Sequence, residues 1–173
     1  GPTLFFIFIY VDDILLFCAN GEAREQMKQR FMKRFKCKDL GEVKRFLGVW
    51  VDVREDRAGA TLHQHQYCVK IVEKYREFWS VVFETPRKHP LPADIQEKLN
   101  ADNSEITPDH PNYDWWINFP YMEMIGSALY LAIMTRPDIC FAVCLLARYA
   151  RTKLFAACLS VSHLFSYLAG DQN

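Results

Sequence analysis

Near the start of the chain, two apolar runs rich in β-branched and aromatic residues, Leu4 to Tyr10 and Ile14 to Cys18, flank Val11-Asp12-Asp13. Runs of that length and composition read as strands, and the short polar interruption reads as the turn of a hairpin. Two adjacent carboxylates are thereby fixed at a hairpin tip, where they repel one another unless a cation or solvent offsets the charge. Such a pair can serve two divalent cations, and Asp is also common in ordinary surface turns. The surrounding residues decide between these readings.

Downstream, Asn20-Gly21 ends the second strand, and Met27, Phe31 and Phe35 line one face of a helix predicted over Glu22 to Phe35, packed on the hairpin. Phe46 to Val53 alternates, with Leu47, Val49, Val51 and Val53 on one face, and predicts a strand. A charged turn from Glu55 to Gly59 leads to a short strand near Thr61-Leu62. Tyr67, Ile71 and Tyr75 then predict a helix from Gln66 to Tyr75. Pro86, Pro90, Pro92, Pro108, Pro111 and Pro120 exclude long regular elements, leaving a loop with one helical turn near Asp94 to Leu99. Three helices are predicted beyond it: Tyr121 to Met134, Asp138 to Ala150 with Pro137 at a first helical position, and Leu154 to Leu168. The expected organisation is 1–83, a mixed unit; 84–119, a proline-rich linker; and 120–173, a helical unit.

Lys plus Arg equals Asp plus Glu at 21 each, so no bulk positive field marks a polyanionic partner. The densest basic stretch is Lys28, Arg30, Lys33, Arg34, Lys36, Lys38, Lys44 and Arg45, which reads as a solvated face or a nucleic-acid track. Six cysteines without close pairing fit a reducing, intracellular compartment, cytoplasm or nucleus; Cys140 and Cys144, on one helix face, read as small core residues in preference to metal ligands. His63 and His65 read as solvated turn residues in preference to a metal pair, and Tyr113, Trp115 and Trp116 as anchors pinning the loop to the core in preference to a surface that stacks bases or clamps a partner. The opening apolar run is far shorter than the roughly 20 residues of a membrane span, and no membrane partner is expected. Gly1-Pro2, without an initiator Met, reads as a cleavage scar or a cut through a longer chain.

Tyr10-Val11-Asp12-Asp13 resembles the polymerase motif of many reverse transcriptases, and the text that follows resembles the copia-type retrotransposon enzyme. The matching segments keep their order. They are Lys38-Asp39-Leu40-Gly41-Glu42, Arg45-Phe46-Leu47-Gly48-Val49, then Thr61-Leu62, Gln64 and Tyr67. Farther on come Phe119-Pro120-Tyr121, Gly126 to Leu131, Thr135-Arg136-Pro137-Asp138-Ile139, Ala142-Val143 and Tyr167-Leu168-Ala169-Gly170. The resemblance implies an α+β fold: a partial reverse-transcriptase palm, an antiparallel sheet plus helices, followed by a helical thumb.

The resemblance further implies that Asp12 and Asp13 are catalytic carboxylates holding Mg2+, or Mn2+ in its place. It implies that Tyr10 and Val11 face the primer terminus and incoming nucleotide, and that Phe46, Leu47 and Gly48 lie in the primer-gripping hairpin. RNA or DNA template-primer and dNTP are the implied partners in the complete enzyme. The family has a further metal-binding aspartate and fingers upstream of these residues, so this chain alone is expected to be inactive. A second departure lies at Ser160, Ser162, His163, Ser166 and Ala169, where the family's last helix usually carries Lys and Arg, so that an outer face neutralised of its cations is expected there. The alternative reading is a domesticated or relic binding module, contacting protein or RNA, or self-associating through an exposed palm sheet edge.

Overall fold

Phe5–Tyr10 (β1) and Asp13–Cys18 (β2) form an antiparallel hairpin in register Phe5↔Cys18 through Tyr10↔Asp13, leaving Val11 and Asp12 as its two-residue turn. The computed structural model describes residues 3–56, 59–101, 108–152 and 154–171, in two compact units, Gly1–Thr61 and Leu62–Asn173. Expectations for Gly1-Pro2, and for Arg57 and Ala58 in the charged turn, lie outside the described residues. The fold is α+β, with helix well in excess of strand.

In the first unit, helix α1 (Gly21–Arg34) packs on β2 through the half-buried Ala23, Met27 and Phe31. Its start is set by Asn20, whose side chain accepts a hydrogen bond from the Ala23 N–H at 3.0 Å. Glu22 in the first turn and Lys33 and Arg34 in the last complement the helix dipole. After it, the Asp39 carboxylate accepts from the Gly41 N–H at 2.9 Å and meets the Lys28 ammonium at 2.8 Å. That ammonium holds the Asp39 carboxyl below its ordinary range. The Lys38 to Glu42 segment is thus a turn stapled to α1.

The strand expected over Phe46 to Val53 is broken in two. Arg45–Phe46 (β3) pairs antiparallel with Val49–Val53 (β4), and Leu47-Gly48 is the turn between them. Alternation alone cannot reveal such a turn, because the apolar pattern runs through it. Ala60–His63 (β5) adds the third strand, in the order β3-β4-β5.

The second unit is a helical assembly around one apolar cluster. It contains α2 (His65–Lys74), α3 (Arg76–Trp79), α4 (Ile95–Ala101), α5 (Tyr113–Ile117), α6 (Tyr121–Met134), a 3-10 turn at Pro137–Ile139, α7 (Cys140–Ala147) and α8 (Phe155–Gly170). Helix α8 is central: Val161, Leu164, Phe165 and Leu168 have no exposed surface, and α2, α3, α4, α6 and α7 all touch it. Tyr75 meets Phe165 edge-on, and the buried Tyr121 hydroxyl donates to the Leu146 carbonyl at 2.8 Å. The proline-rich stretch carries α4 where one helical turn is expected, and also α5. Trp115, on α5, packs against Phe119 and Phe155, as loop anchors do.

Two expectations are corrected here. Ser160, Ser162 and Ser166 do not form a neutralised outer face, because all three are buried. The Ser162 hydroxyl donates to the Phe78 carbonyl at 2.9 Å and that of Ser166 to the Thr85 carbonyl at 3.2 Å, tying the 78–85 stretch to α8. Cys140 and Cys144 are not core residues either; both are exposed on α7, whose buried face is Ala142, Val143, Leu145 and Leu146.

Candidate catalytic hairpin

In an antiparallel ladder, residues directly opposite one another share a face. Asp13 therefore lies on the same side as Tyr10, Phe8 and Leu15, while Asp12 sits in the turn itself. Both carboxylates are exposed, as are Tyr10 and Val11, the latter 83% accessible. Among the described residues no ion pair engages Asp12 or Asp13. Adjacent unneutralised carboxylates on a tight turn are an oxygen-donor pair suited to a hard divalent cation.

Backbone geometry singles out the same place. Val11 has φ 50°, in the left-handed region that a β-branched residue avoids. Two-residue hairpins favour turns with positive φ at the first central position, and that position normally carries Gly, Asn or Asp. Leu47 has φ 49° and Gly48 φ 78°, the positive pair of a type I′ turn, again with a bulky residue first. Val11 and Leu47 are the non-glycine residues with positive φ among those described. Strain of this kind costs of order 1–3 kcal/mol and concentrates at functional sites.

Phe46 closes β3, and Leu47 and Gly48 form a hairpin tip. Each hairpin stands by its own geometry. The strain was missed from sequence because neither Val11 nor Leu47 is a turn-former; the remaining signal was the short interruption between apolar runs. No group of three or more His, Cys, Asp or Glu able to hold a metal occurs among the described residues. His63 and His65 accordingly form no such site, and the hairpin offers two carboxylates.

Residues 1–86 match the family described as reverse transcriptase (RNA-dependent DNA polymerase). The chain is 28% identical over 151 residues to the transposon Ty5-1 protein of Saccharomyces cerevisiae, covering 87% of this chain and 44% of that protein. It is 25% identical over 171 residues to the retrovirus-related Pol polyprotein from transposon TNT 1-94 of Nicotiana tabacum, covering 95% of this chain and 12% of the polyprotein. Together these matches support a copia-type retrotransposon reverse-transcriptase fragment. A protein of Arabidopsis thaliana described as an uncharacterized mitochondrial protein is 29% identical over 138 residues, 80% of this chain and 50% of its own length. The chain spans half or less of the length of each of these relatives. No solved structure matches it.

The later segments that carry the resemblance make contacts with one another and with neighbouring residues. The Gln64 side-chain carbonyl accepts from the Thr135 hydroxyl at 3.0 Å, and Tyr67 meets Tyr130 edge-on. Arg136 donates twice to Asp138, at 2.9 and 2.8 Å, and reaches the Asp171 carbonyl at 2.7 Å. The Tyr167 hydroxyl donates to Asp138 at 2.9 Å. Arg136 comes first among the causes that lower the Asp138 pKa. Gly170 is required by close approach, since a Cβ there would lie 2.5 Å from the Pro86 Cβ.

Proposed function

We propose that this chain carries the metal-binding hairpin of an RNA-directed DNA polymerase of a copia-type retrotransposon. The observation that carries the reading is the β1–β2 tip, where Asp12 and Asp13 stand exposed and adjacent beside the strained Val11. Asp12 and Asp13 would hold Mg2+, with Mn2+ as a substitute. When bound, such ions lower the pKa of an attacking primer hydroxyl and stabilise the leaving pyrophosphate. Tyr10 and Val11 border the primer end and incoming dNTP, and the Phe46-Leu47-Gly48 tip grips the primer of an RNA or DNA template-primer. In this reading the hairpins belong to the palm, and the helices after the proline-rich stretch form the thumb.

Two carboxylates hold Mg2+ weakly without substrate phosphates and further ligands. Purified, this chain is expected to synthesise no DNA on a primed template. Synthesis that disappears on Asp12→Asn would overturn that expectation. The polymerase reading itself is tested in the longest reading frame that contains this segment, where Asp12→Asn or Asp13→Asn should abolish primer extension.

A second reading, a non-enzymatic binding module, is favoured by the bareness of the hairpin. Phe6, Phe8 and Phe17 on one face and Ile9 and Ile14 on the other are all exposed, and two-stranded hairpins are marginal alone in water. Such a surface suits a protein partner or self-association through the sheet edge. Sedimentation that stays monomeric across a wide concentration range would sink the self-association arm.

A further inference from the structure

We propose that Cys140 and Cys144 form a two-sulfur chelate site for copper(I). The two residues lie one turn apart on α7, so their side chains project from the same face. Both are exposed free thiols. The opposite side of α7 is locked into the core, with Ala142, Val143 and Leu146 at 1% exposure or less. The helix therefore presents the two sulfurs together, and holding an ion between them requires no backbone motion.

The geometry favours an ion over a disulfide. Side chains four apart on a helix have Cβ atoms about 5–6 Å apart. A disulfide needs roughly 3.5–4.5 Å, so oxidation would have to unwind a turn whose far side is core. A bridging cation fits the wider gap. Which cation is decided by the donor count. Zinc takes four ligands, and no His, Cys, Asp or Glu completes a three-membered group here among the described residues. Two soft thiolates suit copper(I), which accepts two sulfur donors. Each thiol releases its proton as its sulfur–copper bond forms; the metal stays in the +1 state and nothing is oxidised or reduced.

The test is competition for copper(I) against a chromophoric chelator, using the purified chain under anaerobic, reducing conditions. One copper(I) per chain is expected, with affinity falling by about 100-fold in either Cys140→Ser or Cys144→Ser, because each removes the chelate. Cys37→Ser, altering an exposed thiol in the other unit, should leave the affinity unchanged. Circular dichroism of the variants separates loss of a ligand from loss of the fold. Affinity within about twofold of the parent in both single variants, or one copper shared between two chains, would overturn the proposal.

Discussion

At Val11 the side chain and the backbone want different things. A β-branched residue at φ 50° is strained, and the turn would be easier with glycine. Val11→Gly is expected to leave the first unit's stability unchanged or raise it by up to about 1 kcal/mol, read by denaturant unfolding, while lowering polymerase activity in the enclosing reading frame. A drop in stability would show that the positive φ is unstrained. Gly170 is the opposite case, since its missing Cβ is what lets α8 pass Pro86. Gly170→Ala should cost about 1–3 kcal/mol, measured as a lowered urea midpoint. Such features are hard to see in a sequence. Val11 looks like a strand residue, and Gly170 like an ordinary helix stop.

Among the elements, the end of α8 is secured by one arginine. Arg136 joins the turn after α6 to Asp138 and Asp171, and its side chain is only 11% exposed. Arg136→Ala should speed amide exchange over the last turn of α8 and lower the melting temperature; unchanged exchange there would refute the latch. Asp138 has a folded pKa below its ordinary 3.8, so its contribution is present above that value and lost as pH falls through the lower folded one. His163 acts sooner. Burial, then the Arg87, Lys98 and His89 charges, lower its pKa against the opposing effect of its ring-nitrogen hydrogen bond to the His89 carbonyl. Its contribution is complete above 6.5 and declines as pH drops below it. Acid titration of stability should thus begin near 6.5, and His163→Gln should remove that first step. The helices at Tyr121–Met134 and Phe155–Gly170 were legible because long apolar periodicity reports burial directly. The short α3 and α5 were not, being too brief for a period to register against neighbouring turn residues.

Across the whole molecule, burial is uneven. The second unit holds a continuous apolar cluster from Cys68 to Leu168, whereas in the first only Val49 is fully buried among the described residues. Hydrogen exchange should therefore be slow through α6, α7 and α8 and fast through β1 and β2. Comparable protection in both would contradict that asymmetry. The sequence showed the hairpin and its carboxylates plainly, because charge inside an apolar run is conspicuous. It did not show that the later motifs shape a core, since Gln64, Thr135, Arg136 and Tyr167 find their partners only once the chain has folded. The central claim concerns Asp12 and Asp13. Its most direct test is RNA-templated primer extension with Mg2+ by the longest protein that contains this segment, comparing the parent with Asp12→Asn and Asp13→Asn. Loss of DNA synthesis in both, with folding and template binding intact, is the predicted result; synthesis at the parental rate in either would contradict it.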